Sequence, residues 1–178
     1  MSKKQEILNA SLILFTEQGA RATSTKSIAK QAGVSEALIF KYFGTKDNLL
    51  EELIKKDYLE AIDFTRNKLA RNAPKDFLIR FIDLPIELVD DKFDFWRMIY
   101  KILPLNPIAQ QYHTNFMKPS HDKLRRCFES LGYPKAEYEA EILLLFTDTV
   151  WKNYVSGNLT KESYQEIATL LKKKYALI

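Results

Sequence analysis

The residues best placed to do chemistry lie between Thr25 and Lys46. Ser35 stands just ahead of a run of eight residues, Glu36 to Phe43, which Gly33 and Gly44 bracket. A serine in that place caps a short helix and turns its N-terminus outward. The unpaired N–H groups and positive dipole at such an end favour phosphate or base acceptors. Ile39 and Phe43 are four apart and form an inward face. Glu36, Ala37, Leu38 and Lys41 then fall outward, where they can enter a major groove. A carboxylate at position 36 can accept from cytosine N4, although its charge repels phosphates. Lys46 opens the next helix, where its charge opposes the local dipole, so an external anion is expected to compensate it.

Other reactive side chains do not converge. His113 and His121 are eight apart, not at the i, i+4 spacing of a helical metal pair. Cys127 follows Arg125 and Arg126, which would lower its pKa, but a buried inert thiol is the simpler reading. The chain has no phosphate-binding glycine loop and no evident carboxylate site. An enzyme is not expected, nor is a metal or other cofactor.

The elements that position the Thr25–Lys46 segment are helices. Ile7, Ala10, Ser11, Leu14 and Phe15 share one helical face, and Gly19 stops that helix, which covers 3–18. Ser24 or Thr25 caps a second helix with Ile28, Ala29 and Ala32 inward. Ala32-Gly33-Val34-Ser35 forms the turn into the third. Small Ala32 lets the helices cross closely, Gly33 permits a positive φ, and Val34 plugs the gap between them. Two eight-residue helices joined in this way describe a helix-turn-helix. A fourth helix, capped by Thr45, is expected over 46–71 with Leu49, Leu50, Leu53, Ile54 and Tyr58 inward. Further helices are expected at 74–90, 92–103, 107–130, 134–156 and 161–175, with Pro85 and Pro119 kinking or splitting two of them.

Composition agrees. Five glycines and six prolines in 178 residues favour long helices over strands and turns. Residues 1–50 hold seven Lys/Arg against four Asp/Glu, so the first quarter carries most of the net charge of +4. That is the balance of a segment that touches phosphates. Lys3, Lys4, Lys26, Lys30 and Lys41 read either as such contacts or as solvated charges. No apolar run reaches the ~18 residues of a membrane span, and the first residues lack a signal peptide's apolar stretch, so a cytoplasmic protein is expected.

Ile7…Ala10…Leu14-Phe15…Gly19, Thr25…Ile28-Ala29, Ala32-Gly33-Val34-Ser35, Ile39-Phe40-Lys41-Tyr42-Phe43 and Lys46…Leu49-Leu50 together resemble the tetracycline-repressor (TetR) family of bacterial transcriptional regulators. The resemblance covers residues 4–54. It implies an all-α fold of about nine helices, with a three-helix head at 1–46 and a helical bundle at 47–178 for ligand binding and dimerisation. It also implies a homodimer on a two-half-site operator, usually repression, and a small-molecule effector. By position, Thr25, Tyr42 and Lys46 resemble phosphate contacts, and Glu36, Ala37 and Lys41 resemble base readers. The family often has glycine or another small residue where Ala37 stands. Phe40 stands where tyrosine is frequent; the hydroxyl contact is lost, which leaves Phe40 a packing role.

The remainder is less specific. Phe77, Phe81, Trp96, Tyr100, Tyr112, Phe116, Trp151 and Tyr154 can line a cavity for an apolar or aromatic ligand, or fill a core. Ile142 to Phe146, followed by Val150, Trp151, Tyr154 and Val155, is apolar nearly all round, so that helix must be buried on more than one side. Tyr164, Ile167, Ala168, Leu171 and Tyr175 form a second stripe. Ile142, Leu145, Phe146, Tyr164, Ile167 and Leu171 are the expected dimer contacts. The alternative is a DNA-bound regulator whose C-terminal domain answers to a protein partner.

Overall fold

The computed structural model describes residues 1–69 and 73–177. Among them are nine helices and no strand: α1 (Lys3–Gln18), α2 (Thr25–Ala32), α3 (Glu36–Phe43), α4 (Lys46–Leu69), α5 (Pro74–Asp91), α6 (Phe93–Ile102), α7 (Pro107–Ser130), α8 (Ala136–Val155) and α9 (Lys161–Lys174). The expected all-α class holds, and the expected helix ends fall within about two residues of the observed ones. The expected end of α4 near Arg71 lies outside the described residues.

Hydroxyl side chains start five of these helices. The Oγ of Ser2, Ser24 and Ser35 accepts from the backbone N–H three residues on, as do the hydroxyls of Thr45 and Thr160. Each cap satisfies a donor that the helix itself cannot. The residues form two compact units, Met1–Leu59 with Asp94–Tyr112, and Glu60–Phe93 with His113–Ile178.

The first unit packs α1, α2 and α3 around Ile7, Phe15, Ile28 and Ile39, all at most 1% exposed. Tyr58 meets Phe95 and Trp96 edge-on, with ring centroids 5.2 and 5.7 Å away. Thr16 ties α1 to α6 by donating to the Asp94 carbonyl at 3.1 Å, and Lys101 donates to the Thr16 carbonyl. The second unit has its own core of Phe77, Leu78, Phe81, Ile82, Leu124, Phe128, Leu143 and Tyr164.

Neither internal proline splits its helix. Pro85 sits inside α5 and Pro119 inside α7. Each removes one i→i−4 hydrogen bond, and surrounding contacts carry the helix through. In α5 a bidentate pair spans the gap: the Arg80 guanidinium donates to both Glu87 oxygens at 2.8 and 2.7 Å, and Lys68 approaches the same carboxylate at 3.2 Å. The Arg80 bond, chiefly, holds the Glu87 carboxyl below its usual range. A depressed carboxyl contributes stability above its unfolded pKa and loses it as pH falls through the folded value. Glu87→Gln is therefore expected to cost no more than about 1 kcal/mol at pH 7, because the pair is half exposed. The two urea-denaturation midpoints should converge as pH falls through the lowered folded pKa of Glu87.

Candidate nucleic-acid interface

The helix-turn-helix is closed as its sequence requires. Gly33 takes φ 63°, ψ 38°, and the next N–H, of Val34, donates back to the Ala29 carbonyl at 3.0 Å. Only a residue at ease in the left-handed region ends a helix this way. Ile39 and Phe43 are buried, so α3 is oriented by two apolar anchors one turn apart.

The opposite side of α3 is open. Ala37, Phe40, Lys41 and Tyr42 are exposed, and Ser35 caps the N-terminus from which they project. Lys41, Lys26 and Lys30 make no ion pair among the described residues. Phe40 is 47% exposed, which corrects the expectation that it packs inward. The inward positions one turn apart belong to Ile39 and Phe43, and Phe40 lies a third of a turn away from them. Its offset from Ile39 and Phe43 was the available signal that the ring lies on the outer face.

Other expected contacts are engaged within the head. The Thr25 hydroxyl donates to the Glu36 carboxylate, joining the first residues of α2 and α3. Lys4 pairs with Glu52 and lies 5.6 Å from the Phe43 ring centroid, while Lys3 pairs with Glu6 at 2.8 Å. Lys46 is the clearest correction. Its ammonium donates to the carbonyls of Ala20 and Thr23 at 2.8 and 2.9 Å. Its charge against the α4 dipole is compensated from the α1–α2 loop, so it requires no external anion. Thr23 is itself held by a bond from its hydroxyl to the Gly19 carbonyl at 2.9 Å, so Lys46 positions the loop that leads into α2.

In the second unit, a cavity of about 310 Å³ is walled by Ile62, Thr65, Arg66 and Leu69 of α4, Phe77 of α5, and Phe116, Pro119, Ser120 and Lys123 of α7. Of the eight aromatics expected at a ligand, Phe77 and Phe116 are in this wall. Trp151 packs behind it, its ring centroid 6.1 Å from that of Phe116. Phe81 is core. Trp96 is 0% exposed and Tyr112 stacks on Tyr58 at 6.2 Å, both in the first unit; Tyr100 is also there, half-buried. Tyr154 donates to Asp90 at 2.7 Å, tying α8 to α5. None of these six is among the residues of the cavity wall.

Helix α8 has an apolar face turned inward through Leu143, Leu144, Val150 and Trp151, and a second turned outward. Tyr138, Ile142 and Leu145, spaced i, i+4, i+7, are 68, 49 and 60% exposed, as is Leu170 of α9 at 65%. Tyr138 and Leu170 were not among the expected contacts. Phe146 and Leu171 are partly buried against the core, and Ile167 is half-buried. Tyr164 is a correction: it is buried, with its hydroxyl donating to the Ile82 carbonyl, because the α9 stripe faces α5.

Among the described residues no group of three or more His, Cys, Asp or Glu is arranged to hold a metal ion. His113 pairs with Asp148 at 3.0 Å. Cys127 is buried, and burial, opposed by Lys123 and Arg126, pushes its thiol pKa up, away from nucleophilic use. No described helix is long and apolar enough to cross a membrane.

The fold and the capped, outward-facing α3 define an all-α helix-turn-helix protein. The model of the bacterial regulatory proteins of the tetR family matches residues 7–53. An HTH-type transcriptional repressor of Mycobacterium tuberculosis, Rv3405c, is 37% identical over 81 residues, 43% of this chain and 39% of that protein. YerO, an uncharacterized HTH-type transcriptional regulator of Bacillus subtilis, is 30% identical over 152 residues, 80% of this chain and 52% of its own. The matches thus span between two fifths and about half of these relatives. A TetR-like transcriptional regulator from Rhodococcus sp. RHA1 shares the fold, with a TM-score of 0.76 at 19% identity over 93% of this chain and 91% of that one. Residues 7–53 thus carry the N-terminal domain of the tetR family of bacterial regulatory proteins, and the chain resembles that family.

Proposed function

We propose that the protein is a transcriptional repressor that binds a two-fold operator as a homodimer and is released by a small-molecule effector. Residues 1–46 form the reading head, and residues 47–178 form the regulatory and dimerisation part. The observation that carries the reading is the outer face of α3. Its N-terminus is capped, Ala37, Phe40 and Lys41 are exposed on its outer side, and its inward anchors are fixed. Ala37 and Phe40 suit thymine methyl groups, and Lys41 suits the guanine O6/N7 edge. Tyr42, with Lys26 and Lys30 on α2, suits backbone phosphates.

Dimerisation follows from the outer stripe of α8 with Leu170. An isologous two-fold contact covers the same stripe on both copies, and two helices from each chain make a four-helix interface. Recognition helices in such a dimer enter successive major grooves when they sit ~34–36 Å apart. Helix α4 starts at Lys46 and supplies Ile62, Thr65, Arg66 and Leu69 to the cavity wall. An effector that binds better to one head spacing than the other shifts the equilibrium toward it. Linkage then requires DNA to weaken effector binding by the same factor.

A footprint on an operator is expected to show two protected half-sites related by two-fold symmetry; protection of one unsymmetrical stretch would refute the dimeric reading. The two lysines separate reading from positioning. Lys41→Ala is expected to leave thermal stability unchanged and to relax preference at one position of each half-site, by ~1–3 kcal/mol per contact. Lys46→Ala is expected to cost about 1–3 kcal/mol of stability through the lost carbonyl bonds. It should weaken all DNA sequences alike. Equal stability of the Lys46→Ala and parent proteins would return Lys46 to the phosphate backbone.

A further inference from the structure

Among the described residues, the lining of the cavity in the second unit carries charge of one sign only. Ile62, Leu69, Phe77 and Phe116 give it an apolar surface, and its ionised side chains are Arg66 and Lys123. No described carboxylate is in the wall. Arg66 has a partner outside the wall, Asp63 at 3.0 Å, but both side chains are about two-thirds exposed, and such a pair yields readily to a competing anion. Lys123 makes no ion pair among the described residues; its ammonium lies 5.5 Å from the centroid of the Phe77 ring, over the apolar floor.

We propose that this cavity binds an apolar small molecule bearing a single negative charge, with Lys123 and Arg66 at the anionic head and the hydrocarbon body against Phe77, Phe116, Ile62 and Leu69. A neutral apolar ligand leaves both cations unanswered, and a cation is repelled by both. The volume, about 310 Å³, is of the size that takes a small ligand. Its place as the effector rests on the reading of the chain as a DNA-binding repressor; its binding does not.

The test is calorimetric titration of the ligand-free protein with three probes of one length: octanoate, octan-1-ol and octylammonium. Trp151, behind Phe116, supplies a second readout by fluorescence. Octanoate is expected to bind most tightly. Lys123→Gln should weaken it roughly ten- to a hundredfold while changing octan-1-ol little. Lys123→Glu should turn the preference toward octylammonium. Lys123 is exposed, so both variants should keep the parent unfolding temperature. Affinities independent of head charge, or octanoate binding indifferent to Lys123, would overturn the proposal, as would no octanoate uptake at millimolar concentration. Operator affinity is measured separately on the ligand-free protein, so failure of the anion site and failure of the DNA reading are told apart. Octanoate that binds but leaves operator affinity unchanged overturns its role as effector.

Discussion

Replacing both Ile142 and Leu145 by glutamate should yield a folded monomer that no longer holds its operator. Both side chains project from the outer face of α8 and are about half exposed in the single chain, so their loss removes little from the core. In the dimer the exposed half of each would be buried, at about 0.7–1.5 kcal/mol per side chain. A two-fold axis counts every substitution twice. The dimer dissociation constant should therefore rise by roughly two orders of magnitude or more, before repulsion among the new carboxylates is considered. Two linked heads also gain affinity from effective concentration, so operator binding should fall by ~10²–10⁴-fold. Sedimentation equilibrium and DNA titration read the two effects, with circular dichroism as the check on folding. Variant protein that sediments as the parent does, or a parent monomeric at micromolar concentration, would place the interface elsewhere.

Trp96→Ala is expected to be the most destabilising single change. The indole is fully buried, with its neighbours Tyr58 and Phe95 packed against it at 5.7 and 5.2 Å. Truncating a buried Trp costs about 3–5 kcal/mol, because the lost contacts add to the cavity left behind. Domains are stable by only ~5–15 kcal/mol, so the loss is a large fraction of the whole. Thermal unfolding should shift down by roughly 10 °C or more. The head should lose order with it, since α6 is bonded to α1 through Thr16 and Lys101. A variant with parent stability but no ligand binding would instead place Trp96 at a ligand site, as its sequence neighbourhood suggested.

Those two residues mark the limits of what the sequence made legible. Helices were legible because period 3.6 and punctuation by Gly19, Gly33 and Gly44 are local properties. The outer stripe of α8 was partly legible, because a helix apolar all round must be covered on two sides. Tyr164 misled because a single stripe states that a face is buried and not which neighbour buries it. The same ambiguity misplaced Trp96: an aromatic ring looks alike in a core and in a cavity wall until its tertiary neighbours are known. At Lys46 the dipole argument found a charge in need of compensation, but the carbonyls that supply it lie more than twenty residues away. The Thr25–Glu36 bond has no sequence signature at a separation of eleven. Local grounds alone predict either a kink or a break at Pro85 and Pro119, and both helices run through.

The central claim is that α3 reads a two-fold operator. Selection of sites from random double-stranded DNA tests it most directly, run in parallel with the parent and with an Ala37→Glu, Lys41→Ala double variant. The account predicts that the parent enriches a pseudo-palindrome whose half-sites lie about one helical turn, or a small multiple, apart. It predicts that the double variant, still dimeric, loses that motif and keeps only weak, salt-dependent binding. Enrichment of no motif by the parent, or of the same motif by the variant, would contradict it.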